Sequence, residues 1–469
     1  MTSIAIVGGG PAGYEAALVA AQLGAEVTLV EPDGLGGACV LYDCVPSKTL
    51  IATSETMSTF RGAPALGVRA PGGLEGEVSV EAAVVNRRVK DLAAWQSEDV
   101  WQRLSTEGVR MLTGRGRFAA EQPGRSRRVE VVDRAGRVTE TLDADVVLLA
   151  TGANPRVLAG AVPDGERILT WRQVYDLPAL PEHLIVVGSG VTGAEFASAY
   201  LAMGVPVTLV SSRDRVMPHE DADAATAIEQ VFRTRGMTIL SNARAERVRR
   251  EGSGVVAELT DGQRVTGSHV LMAVGSVPNT ADLGLEDYGI ALGPGGYLTV
   301  DRVSRTSVPG VYAAGDCTGV LLLASVAAMQ GRIAMWHALG EAVAPLRLRT
   351  VPANVFTDPE LATVGVSQSD VDSGKVPARQ IMLPLAGNAR AKMYGIRDGF
   401  VKLFCRPASG LVVGGVVVAP KASELILPIT MAVENHLTVD QLAHTITIYP
   451  SLTGSIAEAG RQLMLHEID

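Results

Sequence analysis

Cys39 and Cys44 stand with four residues between them in GGACVLYDCVPSK, and Lys48 closes the same Gly- and Pro-framed stretch. A thiol pair of this kind can cycle between dithiol and disulfide, clip a metal, or simply be buried. Zinc clips prefer CxxC spacing with two further Cys or His ligands nearby, and no His precedes His183, so no metal site is expected. The two other cysteines, Cys317 and Cys405, are isolated. Four cysteines in 469 residues cannot make the disulfide framework of a small secreted domain, which points to a reducing compartment.

Two further constellations can bind phosphate. SIAIVGGGPAGYEAALVAAQLGAEVTLVE reads as strand, Gly-rich turn, Ala-rich helix and second strand. Gly8 permits the tight turn, Gly10 lets backbone approach a pyrophosphate, and Gly13 lets helix pack close on strand. Glu31, 18 residues past Gly13, can accept hydrogen bonds from a ribose hydroxyl. The pattern recurs at HLIVVGSGVTGAEFASAYLAMGVPVTLVSSRDR with Gly188, Gly190 and Gly193. Two dinucleotides are therefore expected. The second copy ends in Ser211 and Ser212 followed by Arg213 and Arg215, and hydroxyls with guanidinium groups suit a ribose 2′-phosphate where an acid would repel it. NADPH is favoured at this site and NADH stays open, since the two arginines also fit a solvated loop. Two more strand-ending turns, at Thr151–Gly152 and Gly315–Asp316, can approach a ligand at the sheet edge, where Asp316 can hold the hydroxyls of a ribityl chain. Gly275 begins a similar turn in GSVPNT.

These turns need doubly wound parallel sheets to position them, and the composition allows it. The chain is 47% hydrophobic with 51 Gly, 4% aromatic and 19% charged, an α/β enzyme profile long enough for several domains. A net charge of -9 without a basic run argues against nucleic acid. The first Lys or Arg is Lys48, so no secretory leader is expected. The Gly-broken run GLVVGGVVVAP reads as a core strand rather than a membrane span, so a soluble, cytoplasmic protein is expected.

With GGGPAG, GGACVLYDCVPSK, ATG, GSGVTGAEFA, GSVPN, AAGD and VFTDPELATVG in this order, the chain resembles the flavoprotein disulfide reductases, such as lipoamide dehydrogenase and glutathione reductase, over essentially its whole length. The resemblance implies an α/β fold with two Rossmann-like dinucleotide-binding domains and a C-terminal α+β dimerisation domain. It implies an FAD domain at 1–155 and 281–345, an NAD(P)H domain at 156–280 and an interface domain at 346–469 that makes a homodimer. Residue by residue, Cys44 becomes the flavin-proximal thiol and Cys39 the outer, interchange thiol. Lys48 would lie near the flavin and pair with Glu195, Gly116 would lie near the adenine, and the helix beginning near Ala324 would aim its N-terminus at the flavin pyrimidine.

One departure redirects the function. The family carries a catalytic His followed by Pro, with a Glu five residues after the His. Here TITIYPSLTGSIAEAG puts Tyr449 in the His position and Gly454 in the Glu position. Tyr, with a reference pKa near ~10, is a poor base for a thiol near ~8.5. Losing general acid/base catalysis typically forfeits about 10²–10⁴-fold in rate. His444, five residues before Tyr449, is not assigned the role, since a lone His is more often a surface or core residue than a catalyst. The hydride path from NAD(P)H to FAD needs neither residue, and the chain is similar to an actinobacterial branch of quinone reductases. The expected activity is an FAD-dependent NAD(P)H:quinone oxidoreductase with Tyr449 near the acceptor. The alternatives are a disulfide reductase for an unusual substrate and a redox-sensing flavin-binding protein.

Overall fold

Short runs of Val, Ile and Leu that lack polar alternation demand burial on both faces, and Ala-rich stretches between them supply helices slim enough to cover those faces. The computed structural model describes residues 1–69, 78–119 and 127–464, and divides the chain into two compact units. The first contains Met1–Thr49, Asn86–Arg156 and Gly275–Leu346; the second contains Leu50–Val85, Val157–Val274 and Arg347–Asp469. The chain thus has the expected α/β class.

In the first unit a five-stranded parallel sheet runs in the order Val311–Ala313, Val146–Leu149, Ser3–Val7, Glu26–Glu31, Arg110–Thr113. Its two faces bury alternate residues. Ile4, Ile6, Leu29 and Leu148 share one core with Ala12, Ala16, Ala17 and Ala20 of the helix Pro11–Gln22. Ala5, Val7, Val30, Val147 and Leu149 share the other with Phe118, Val129 and Val131 of a three-stranded antiparallel sheet. Helix Pro11–Gln22 starts on Pro at its first turn, where a missing N–H costs nothing. It also packs against helix Ala324–Ala338, which begins at the residue expected from the sequence. The two helices meet through backbone: a Cβ on Gly331 would lie 2.1 Å from the Ala12 carbonyl oxygen. Arg332 Nη2 and Glu15 Oε2, 2.6 Å apart, close the same contact.

The second unit holds another five-stranded parallel sheet, Thr238–Leu240, Val207–Val210, Leu184–Val187, His269–Met272 and Ile168–Thr170, which shares the order of four strands but takes its edge strand Ile168–Thr170 from before the nucleotide turn. It also holds a five-stranded antiparallel sheet, ordered Ala353–Val355, Glu360–Gly365, Val412–Ala419, Phe400–Cys405, Arg379–Pro384. The Gly-broken apolar run is the central strand of that sheet, Val412–Ala419. Ile429, Val439, Leu442, Ile456 and Leu463 from the C-terminal helices share its core. Among the described residues, no helix is long and apolar enough to cross a membrane.

The helix contact at Gly331 generates a test. Gly331→Ala drives a methyl group into backbone that cannot rotate away, and overpacking of this kind costs about 1–3 kcal/mol. Urea denaturation should show that loss, while Gly62→Ala, at a helix end with nothing within 4 Å of the new Cβ, should leave stability unchanged or slightly raised.

Candidate active site

Both phosphate turns adopt one backbone geometry. Gly8 and Gly188 have φ of 108° and 111°, a region closed to residues with a Cβ. Gly10 and Gly190 then take φ, ψ of −70°, −174° and −71°, −174° as the caps of helices Pro11–Gln22 and Val191–Ala202. A Cβ on either Gly13 or Gly193 would lie 1.8 Å from the carbonyl oxygen of Gly8 or Gly188, so the helix can rise this steeply only on glycine. Neither helix N-terminus has a side-chain cap. Their N–H groups therefore face the position where a pyrophosphate would complete them, and both turns fit a dinucleotide on this ground.

The ends of the following strands differ in chemistry. Glu31 Oε2 accepts the Gly9 amide at 2.7 Å and Oε1 accepts the Asp33 amide at 2.9 Å. Burial raises the Glu31 pKa, and the amide donors from Asp33 and Gly9 oppose the rise. In the second turn the same pair of positions is Ser189 and Ser211, whose hydroxyl oxygens lie 2.7 Å apart. Ser211 is fully buried, donates to the Arg213 and Arg215 carbonyls, and accepts the Arg213 amide. The Ser211 hydroxyl thus ties its own loop together. Ser212 and Arg213 are exposed and Arg215 is half-buried.

The thiol segment is strapped to the first turn. The Gly36 amide donates to the Gly9 carbonyl at 2.8 Å, and a Cβ on Gly37 would lie 2.8 Å from Gly10 Cα. Cys39 sits in the short helix Gly37–Leu41, and Cys44 is the first residue of helix Cys44–Gly62. Both are free thiols, and they hydrogen-bond to each other. That bond, burial and the negative charges of Cys39 and Asp43 push the Cys44 thiol far above its ordinary range, while Lys48 pulls it down. Lys48 follows Cys44 one turn along the same helix.

Asp316 follows the strand Val311–Ala313, and burial, reinforced by Asp43, pushes its carboxyl up to about 6. Gln330, which the sequence reading did not single out, is 2% exposed and accepts the Gly315 amide at 2.9 Å, fixing the turn that presents Asp316. A polar residue six positions into an Ala-rich helix was its only signal. Thr151 Oγ1 donates to the Asn279 carbonyl at 2.7 Å, and Asn279 Nδ2 donates to the Thr151 carbonyl at 2.9 Å. Gly152 and Gly275 flank the antiparallel ribbon of Ala153–Pro155 and Ser276–Pro278. Gly116 is buried, and a Cβ there would meet Val7 at 2.7 Å.

In the second unit Glu195 is 5% exposed and its Oε1 accepts the Phe356 amide at 2.9 Å. Lys48 belongs to the first unit and Glu195 to the second. Tyr449 is 85% exposed, in line with Ile446 and Ile448 at 98% and 82%. Gly454 opens the last helix, Gly454–Leu463. His444 Nδ1 bonds to the Asp440 carbonyl at 2.8 Å, one turn back on its own helix.

The Asp316 environment sets a pH dependence. Its folded pKa lies above the ordinary 3.8, so the native state keeps a proton that the unfolded chain releases, and stability falls as pH rises through about 6. At about 1.4 kcal/mol per unit, ionised Asp316 costs roughly 3 kcal/mol at pH 7. In flavin-free protein, Asp316→Asn should therefore raise the unfolding free energy at pH 7 by up to about that amount, with the difference vanishing below pH 4. A difference independent of pH in urea denaturation contradicts this.

Comparison with known proteins places these features. Residues 2–331 match the family described as pyridine nucleotide-disulphide oxidoreductase, and residues 351–460 match its dimerisation domain. The NAD(P)H dehydrogenase (quinone) of Mycobacterium tuberculosis is 59% identical over 470 aligned residues, covering 100% of this chain and 95% of the relative. The dihydrolipoyl dehydrogenase of Chlorobaculum tepidum is 33% identical, covering 97% and 96%. The crystal structure of LpdA from Mycobacterium tuberculosis superposes with a TM-score of 0.93 at 59% identity, covering 99% of this chain and 100% of that one. The HOCl-induced flavoprotein disulfide reductase RclA from Escherichia coli, at 24% identity and a TM-score of 0.84 over 98% and 99%, shares the fold. The two nucleotide turns, the thiol pair and the full-length matches together establish that this chain belongs to the pyridine nucleotide-disulphide oxidoreductase family, enzymes that use FAD and NAD(P)H.

Proposed function

We propose that the chain is an NAD(P)H dehydrogenase acting on a quinone. The observation that carries this reading is the full-length, 59% identity to a relative of that name, joined to two phosphate turns of one backbone geometry. Bound FAD would supply the ring that takes hydride from the nicotinamide and passes electrons to the acceptor.

The chain's own residues divide the remaining tasks. Gly8, Gly10 and Gly13 open the first helix N-terminus to the pyrophosphate of FAD, and Glu31 orients its ribose. Asp316, Thr151, Gly152, Gly116 and the N-terminus at Ala324 complete that site. Gly188, Gly190, Gly193 and Gly275 serve NAD(P)H, with Ser212 and Arg213 reading the 2′-phosphate of NADPH and NADH as the weaker partner. Lys48 would place positive charge beside the flavin and the Cys44 thiol. Tyr449, exposed in one protomer, would border the acceptor of a partner protomer, and the matched dimerisation domain supports a homodimer. The segments 1–155 with 281–345, 156–280 and 346–469 would serve as the FAD, NAD(P)H and interface domains, in a cytoplasmic enzyme.

With NADPH as donor, kcat/KM should be highest for a benzoquinone or naphthoquinone and at least about 10²-fold lower for lipoamide or oxidised glutathione, the usual weight of a missing acid/base. Cys39→Ser should keep most of the quinone activity. Faster turnover of lipoamide, or loss of quinone turnover in Cys39→Ser, identifies a disulfide reductase instead.

A further inference from the structure

Lys402 is an ammonium group in a strand, Phe400–Cys405, whose six residues are all buried. It is 2% exposed and makes hydrogen bonds to Asp221 Oδ1 and Oδ2 at 2.9 and 2.8 Å, Asp223 Oδ2 at 2.6 Å and Gln368 Oε1 at 3.4 Å. The rings of Phe400 and Phe404 flank it, with centroids 5.7 and 6.0 Å from Nζ. Burying such a pair is expensive, and well-packed apolar residues of similar volume often serve stability equally well. What apolar residues cannot supply is a fixed position for Asp221.

That position matters because Asp221 caps the helix Ala222–Thr234, accepting the Asp223 and Ala224 amides at 3.1 Å. The same helix carries Glu229, whose Oε2 accepts the Val216 amide at 3.1 Å. Upstream, the Met217 amide donates to the Ser189 carbonyl at 2.8 Å, and Ser211 is held by Ser189. The Asn242 amide donates to the Arg213 carbonyl at 2.7 Å. Ser212, Arg213 and Asp214 form an exposed run directly after the strand that ends the second nucleotide turn, and His219 is exposed further along the same loop.

We propose that Lys402 is a positioning residue for recognition of the ribose 2′-phosphate: through Asp221 it fixes the helix whose Glu229 holds the loop presenting Ser212 and Arg213. The inference rests on the reading of that loop as the 2′-phosphate contact. A loop held from both ends orders before the ligand arrives, so less of the binding free energy goes into immobilising its side chains. Releasing one end weakens binding of the phosphorylated ribose and leaves chemistry at the flavin untouched.

The experiment uses full-length holoenzyme and calorimetric titration with 2′,5′-ADP and with 5′-AMP, alongside steady-state kinetics. Lys402→Met should weaken 2′,5′-ADP binding by about 3- to 10-fold, the scale of one or two side chains losing their preordering. Binding of 5′-AMP and kcat at saturating NADPH should stay at wild-type values, so that the effect appears in KM for NADPH. Asp223→Asn, at a half-exposed position, tests the same link without opening the core and should shift 2′,5′-ADP binding in the same direction. Arg213→Ala separates the two levels of inference. If it leaves the preference for 2′,5′-ADP over 5′-AMP intact, the loop reading fails and this inference fails with it. If Arg213→Ala loses that preference while Asp223→Asn and any folded Lys402→Met bind 2′,5′-ADP as wild type does, the positioning role alone is overturned.

Discussion

The architecture depends on one backbone contact made twice: the third glycine of each phosphate turn lying under the carbonyl of the first, where a Cβ would be 1.8 Å from oxygen. Only this approach lets the helix leave the strand steeply enough to point its N-terminus at the sheet edge. The uncapped N–H groups and the start of the helix dipole then form a site for an anion with no charged side chain needed. In the first unit the consequence spreads, because the thiol segment is hung from the same turn by the Gly36 amide and the close pass of Gly37 on Gly10. A side chain at Gly37 would press on Gly10 and so disturb the phosphate turn and the thiol segment together.

Around that frame, the charges are arranged so that neutral and ionised forms compete closely. Cys44 stands at the start of a long helix and near Lys48, both of which favour a thiolate, yet burial, the Cys39 bond and Asp43 oppose it. Asp43 also reinforces the burial that raises Asp316. One acidic residue between two cysteines thus touches the electrostatics of the thiol pair and of the Asp316 turn at once. Such opposed pushes are usual where a protein prepares charges for a ligand rather than for its own stability.

Much of the fold was legible in the sequence because its signals are local. Each βαβ unit declares itself within about thirty residues through strand hydrophobicity, glycine spacing and the terminal residue. The strand at Val412–Ala419 was readable for the same reason, whereas the helix at Ala324 was expected only from the family resemblance. The candidate site was legible as a list of residues and less so as roles. Ser211 follows the strand at the position corresponding to Glu31, and its type suits phosphate. Its hydroxyl is instead enclosed by Ser189 and two carbonyls, an outcome set by how the loop closes over it.

The sequence by itself determined that two dinucleotide turns and a thiol pair exist, because a phosphate turn is a short-range object built from backbone that only glycine permits. Tertiary structure alone decided which polar groups are turned inward and which are exposed. Lys402 meets Asp221 across 181 positions, and Glu195 meets the Phe356 amide across 161. In the strand FVKLFC, Lys402 reads as one misplaced charge. Burial makes an unpaired ammonium untenable, so its partners must come from wherever the fold brings them, and no local pattern encodes that place.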